Sequence, residues 1–183
     1  MELASKEQLR ASYLRWAVVT VPLILLLGFA SARLATTGDQ NCWYRALVKP
    51  ALTPPDWAFP VAWTTIYILM GLALAMILNA RGSSLRGTAI ALFAAGLIVN
   101  LAWSPLFFGA HRVVGALVAI GLMFVLGVAT TFAFGRIRPV AAWLLVPYLA
   151  WTCVAGLLTW QIHQANPDAE RLACAAASTQ IAL

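Results

Sequence analysis

Charge is what this chain has least of. Its 183 residues hold 12 Lys and Arg, 6 Asp and Glu and 2 His, so only 10% are charged. A soluble domain carries about 25%, and a deficit of that size argues against a globule facing water on all sides. Acidic groups are scarcer still. Glu2, Glu7, Asp39, Asp56, Asp168 and Glu170 all lie outside the apolar stretches. Ion-coupled transporters and proton pumps place titratable carboxylates at mid-membrane, and none is available for that here. The two lysines, Lys6 and Lys49, also fall outside those stretches, which excludes a retinal Schiff base. Three cysteines occur at positions 42, 153 and 174, with no CxxC and no metal-ligand spacing, so neither zinc nor attached haem is indicated. Cys153 reads as a small packed hydrophobe, and Cys42, beside Trp43 in a loop, is open to a reactive role. The net charge of +6 is scattered between apolar blocks rather than gathered in a patch, which speaks against nucleic acid as a partner.

What is present is apolar length. Five stretches carry no Asp, Glu, Lys or Arg: Trp16–Ala32, Trp57–Ala80, Gly87–His111, Val113–Gly135 and Pro139–Pro167. A spanning helix needs about 20 apolar residues, which the last four meet easily and the first meets marginally. The pattern predicts an all-α polytopic membrane protein, a bundle of five transmembrane helices. A basic amino-terminal segment covers residues 1–12. The membrane domain covers 13–166, with helices near 13–34, 57–80, 86–109, 112–135 and 138–164. A loop, 35–56, has room for structure of its own, and residues 167–183 form a tail. Lys6, Arg10 and Arg15 ahead of an apolar run ending Ala30-Ser31-Ala32 also fit a cleaved leader; the length of that run favours retention as the first helix. One side of the membrane receives Lys6, Arg10, Arg15, Arg81, Arg86, Arg136 and Arg138, the other Arg33, Arg45, Lys49, Arg112 and Arg171. That bias places the amino end in the cytoplasm.

The run Lys49-Pro50-Ala51-Leu52-Thr53-Pro54-Pro55-Asp56-Trp57 leads into an aromatic, charge-free helix. Proline fixes φ and lacks an N–H, so Pro50, Pro54 and Pro55 read as a rigid loop delivering the chain to a helix start. Inside the spans, Trp63 and Tyr67 are spaced i, i+4 on one face. Asn100, Trp103 and Phe107 share a face of the third span, with Pro105 and Phe108 beside them. Tyr148, Trp151, Ala155 and Leu158 share one on the last. Three aromatic stripes are able to enclose a slot for a planar hydrophobic ligand. Trp57, Trp143 and Trp160 lie near helix ends and fit interface anchoring. Trp63, Trp103 and Trp151 fit packing and ligand contact equally. Asn100 is an amide in hydrocarbon and needs a partner, either a neighbouring helix or the polar edge of a ligand. His111 and His163 sit at helix ends without positional support as axial ligands, and no metal site is expected. Small residues at Ala91/Ala95 and Gly71/Ala75, and along Gly115, Gly121 and Gly127, allow close helix approach within one chain or across a dimer.

In this order, the pieces resemble the TspO/MBR family, the tryptophan-rich sensory proteins related to the mitochondrial translocator (peripheral benzodiazepine receptor) protein. They are Trp43-Tyr44, Lys49-Pro50, Pro54-Pro55-x-Trp57, Trp63-x-x-x-Tyr67, Asn100-x-x-Trp103-x-Pro105-x-Phe107-Phe108-Gly109 and Pro147-Tyr148-x-x-Trp151 with Ala155 and Leu158. The resemblance implies a five-helix bundle in a bacterial cell membrane, usually dimeric, that binds porphyrins such as protoporphyrin IX, with haem as a further candidate, and in some members cholesterol or synthetic ligands. It implies no required cofactor, with the porphyrin as the ligand. Carried over, the pocket consists of Trp63, Tyr67, Asn100, Trp103, Phe107, Tyr148, Trp151 and Ala155. Its lid is formed by Trp43, Pro50, Pro54, Pro55 and Trp57.

A sensory or regulatory role in tetrapyrrole or stress response is the leading expectation. The alternatives are light- and oxygen-dependent porphyrin degradation, in which Trp63 and Trp151 would be catalytic, and passive transport of porphyrins or other hydrophobic metabolites. No conventional catalytic constellation is present. The chain departs from the family at Leu158-Thr159, where Leu-Asn is common, and at His163, where a tryptophan is expected, although Asn166 follows the pattern. From Gly156 to Asn166 there is no tyrosine, lysine or arginine, so the family's sterol motif is missing. The tail after Pro167 has no counterpart in the resemblance.

Overall fold

A computed structural model describes residues 6–172, which contain helices and no strand. The elements are α1 (Lys6–Arg33), α2 (Cys42–Ala46), α3 (Ala58–Asn79), α4 (Arg86–Ser104), α5 (Val113–Ile137), α6 (Pro139–Trp143) and α7 (Val146–Ala165). A π-helical turn, Pro105–Gly109, extends α4, and short 3-10 turns cover Gly38–Gln40 and Ala169–Arg171. Among the described residues, five helical segments are long and apolar enough to cross a membrane, in keeping with the five-helix bundle read from the sequence. The tail beyond Leu172, including Cys174, lies outside the described residues.

Three element boundaries differ from expectation, each for a physical reason. α1 begins at Lys6 rather than near residue 13, because the polar turns before Trp16 continue the helix, with Glu7 placed favourably in its first turn. The last span is two helices, broken at Leu144 and Leu145. Pro147 at the start of α7 lacks an N–H and disfavours helical geometry in the residue before it. The third span ends in a π turn because Pro105 has no N–H to offer the carbonyl of Leu101 four residues earlier. That carbonyl accepts the hydroxyl of Ser31 from α1 instead. The turn then closes through Ala110 N–H to Pro105 O at 2.9 Å and Arg112 N–H to Leu106 O at 3.1 Å.

The close crossing of α1 and α3 depends on two glycines. A Cβ on Gly71 of α3 would lie 2.7 Å from the Val21 Cα of α1, and one on Gly28 would lie 2.1 Å from the Tyr67 ring. The hydroxyl of Thr20 is shared between Trp16 O, at 2.9 Å, and Gly71 O, at 2.8 Å, across the same crossing. Of the other small residues, Ala75 is buried and a Cβ on Gly127 would lie 2.8 Å from the Leu149 side chain of α7, whereas Ala91 is exposed and Gly121 has nothing within 4 Å of its Cβ direction. Cys153, expected to be packed, is an exposed free thiol on the outer face of α7. Cys42 is not a free thiol, so the reactive role considered for it falls away.

Two apolar clusters organise the interior. The larger joins the long helices around Ile66, Tyr67, Met70, Phe93, Met123 and Tyr148, with Trp63, Trp103, Trp151 and Ala155 packed against it. The smaller lies under the long loop around Trp43, Tyr44, Leu47, Phe107, Val113 and Ile162, with Trp103 and Phe108 at its edge. Trp103 therefore touches both.

Candidate functional site

The lid comes first, because it fixes what lies beneath. Asn41 is the N-cap of α2. Its Oδ1 accepts from Tyr44 N–H at 3.1 Å, and its Nδ2 donates to Thr36 O at 2.7 Å and Phe108 O at 3.0 Å. Asn166, just past α7, pairs with both backbone groups of Val48. Its Oδ1 accepts from Val48 N–H at 2.8 Å, and its Nδ2 donates to Val48 O at 3.0 Å and Ile162 O at 2.8 Å. Trp43 is fully buried and its indole N–H donates to Ala169 O at 2.8 Å. Its ring stacks on His111 at 4.5 Å and meets Phe107 edge-on at 5.3 Å. Lys49 bonds Asp39 and lies 4.5 Å over the Tyr44 ring. Of the expected lid residues, Pro50 and Pro54 are half-buried, whereas Pro55 and Trp57 are exposed. Trp57 is thus placed at the surface, as an interface anchor would be.

Below the lid, the polar centre is Asn100. Tyr67, stacked on Trp63 at 5.3 Å, donates its hydroxyl to Asn100 Oδ1 at 3.0 Å. The Asn100 Nδ2 donates to the sulfur of Met123 at 3.5 Å. A thioether is a weak acceptor, so the amide is only modestly satisfied. The hydroxyl of Tyr148 is buried close to the same amide, without a hydrogen bond of good geometry. The indole N–H of Trp103 is also buried and has no partner among the described residues, while its ring stacks on Phe107 at 5.1 Å. A third buried polar atom without a partner is the Gln161 Oε1. In low dielectric each such group costs about 1–3 kcal/mol, and clusters of them are rare in finished cores.

The structure joins Trp63, Tyr67, Asn100 and Tyr148 directly, and brings in Trp103 from the lid side. Phe107 is buried in the lid cluster rather than on an open wall. Trp151 pairs edge-on with Phe59 at 5.9 Å. It borders a groove of about 350 Å3 between α3 and α7, lined by Ala62, Thr65, Ile66, Pro147, Ala150 and Val154 and open to the outside. Ala155 is half-buried against the bundle core. A small, partly open cavity beside Tyr148, lined also by Met70, Phe93 and Thr130, holds about 10 Å3, room for one water. Thr159, at one of the departures from the family pattern, donates its hydroxyl to Ala155 O at 2.8 Å, so it offers no free donor to the interior.

Sequence reasoning missed Met123 and Phe59. A methionine in an apolar run has no signal until its neighbours are known, and Phe59 lay in the first turn of a helix expected to begin at 57. The lid's hold on Ala169 was also unforeseen, since a backbone carbonyl leaves no trace in composition.

Helices of this length around a buried amide and three aromatic stripes define an integral, multi-pass membrane protein. The TspO/MBR family model matches residues 18–165, and the chain belongs to that family. It is 40% identical to the tryptophan-rich protein TspO of Chlorobaculum tepidum over 148 residues, 80% of this chain and 93% of that one. Identity to the tryptophan-rich sensory protein of Cereibacter sphaeroides is also 40%, over 72% of this chain and 84% of the relative. The translocator protein of Bos taurus is 38% identical over 79% of this chain and 88% of its own length.

Proposed function

We propose that this protein binds a planar tetrapyrrole of the porphyrin class between α3, α4, α5 and α7, beneath the Trp43 lid, and that occupancy serves a sensory or regulatory role. The observation that carries the reading is the unfinished polar set around Asn100. An amide held by one tyrosine and one thioether lies near the Tyr148 hydroxyl, and the Trp103 indole, like that hydroxyl, lacks an acceptor. A macrocycle with pyrrole nitrogens and carboxylates supplies acceptors, and indole and phenol rings supply stacking faces. Lining that is mostly apolar, with a few convergent polar groups, is what small-molecule sites share. Names among the relatives, tryptophan-rich sensory protein above all, agree with the role. The groove beside Trp151 offers a route from the bilayer. A homodimer belongs to the same reading, with exposed Ala91 on α4 permitting close approach.

Titration of the purified protein with protoporphyrin IX checks this. Tryptophan fluorescence is expected to be quenched saturably, and Trp151→Phe to weaken the quenching. Quenching no greater than in a detergent blank overturns the reading.

A further inference from the structure

The two ends of the bundle carry charge in different ways. At the lid end acids interleave with cations: Lys49 pairs with Asp39, Arg112 with Glu170 at 3.5 Å and Arg171 with Asp168 at 3.8 Å. The opposite end comprises the start of α1, the α3–α4 link and the α5–α6 link. It holds Lys6, Arg10, Arg15, Arg81, Arg86, Arg136 and Arg138, with Glu7 as its only acid among the described residues. Arg81, Arg136 and Arg138 are exposed and have no acidic partner among the described residues.

Arg86 is different, and the difference is informative. Its guanidinium donates to Ile77 O at 3.2 Å and Leu78 O at 3.0 Å, closing the carbonyl end of α3. It is half-buried and occupied with the fold. The other three have no such employment. α6 packs against both α3 and α5, so the two links that carry them flank one corner of the bundle.

The elements that meet at that corner also carry exposed apolar side chains: Leu85, Phe132, Val140 and Trp143. Arg136 lies over the Phe132 ring at 5.8 Å, its stem along the apolar flank and its head at the rim. Guanidinium groups without acidic partners beside exposed aromatic side chains belong at the level where hydrocarbon meets headgroups. A soluble anion or a nucleic acid would have no use for those side chains. A guanidinium presents a planar fork that matches phosphate oxygens two at a time.

We infer that Arg81, Arg136 and Arg138 form an interaction surface for the phosphates of anionic phospholipids, which it retains at the corner between α3, α5 and α6. The surface is separate from the Asn100 site and stands whether or not a ligand binds there.

The test uses the full-length chain in phosphatidylcholine bilayers containing trace spin-labelled phosphatidylglycerol or spin-labelled phosphatidylcholine. Motionally restricted signal gives the relative association of each lipid with the protein. The anionic label should be preferred by about fivefold, and added salt should reduce that preference. In the combined variant Arg81→Gln, Arg136→Gln, Arg138→Gln the ratio should fall towards one with the helical content unchanged. Arg86→Gln should lower thermal stability equally in neutral and anionic bilayers and leave the preference intact. Equal association of the two labels with the wild-type chain overturns the inference. So does a preference that salt or the combined substitution leaves unaltered; if the variant fails to fold, the wild-type salt response decides.

Discussion

The two aromatic clusters make opposite use of their polar atoms. Around Trp43, the buried polar groups find partners: the indole on Ala169, the Asn41 amide on Thr36, Tyr44 and Phe108, the Asn166 amide on Val48 and Ile162. Around Asn100 the hydroxyl of Tyr148 is left over, and the Trp103 indole, which reaches both clusters, is left over too. The polar atoms compared are buried in both clusters, so the contrast does not come from exposure. A satisfied cluster is a structural joint. An unsatisfied one keeps free energy available for something that brings acceptors with it. The lid is complete in itself, and the space beneath it is not.

That contrast breaks most visibly at Trp43. Trp43→Ala removes the largest fully buried side chain of the lid cluster, together with its bond to Ala169 and its stack on His111. A loss of about 3–5 kcal/mol is expected, read as a large fall in thermal midpoint in detergent. Retention of the wild-type midpoint would mean that the loop is not held by this ring.

How far the sequence anticipated these two regions differs for the same physical reason. Charge-free length reports helices directly, so the five-helix bundle was legible. The i, i+4 pair Trp63 and Tyr67 does share a face and a stack. Pro50, Pro54 and Pro55 marked a rigid loop, but its fastening was invisible, because Asn166 bonds Val48 across 118 residues. The π turn after α4 has a visible cause in Pro105. Its stabilisation depends on Ser31, 70 residues from the carbonyl it serves, and no local pattern encodes that. Met123 beside Asn100 was hidden because a thioether in an apolar run looks like any other packed side chain.

An intermediate effect is expected at the loop's far anchor. Asn166→Asp keeps the acceptor for Val48 N–H and removes the donor that serves Val48 O and Ile162 O. Unpaired buried acceptors put the loss at about 1–3 kcal/mol. Faster amide hydrogen exchange at residues 44–48 should report it, with exchange in α4 and α5 unchanged. Equal acceleration throughout would show that lid and bundle open as one unit, and the distinction between the clusters would fail.

The smallest effect on stability, and the sharpest on the comparison, is expected at Tyr148. Its hydroxyl is buried with nothing to donate to, so Tyr148→Phe deletes an unsatisfied group while keeping the ring against Gly127, whose Cβ direction lies 3.0 Å from it. Removing an unpaired buried donor is neutral or stabilising, so the thermal midpoint of the free protein should hold or rise. If a ligand supplies the missing acceptor, protoporphyrin affinity should fall about three- to tenfold, as for the loss of one net hydrogen bond. Stability and affinity then move in opposite directions. A core residue whose only task is packing cannot give that result, and a fall in stability with affinity unchanged would place Tyr148 among the structural joints with Trp43.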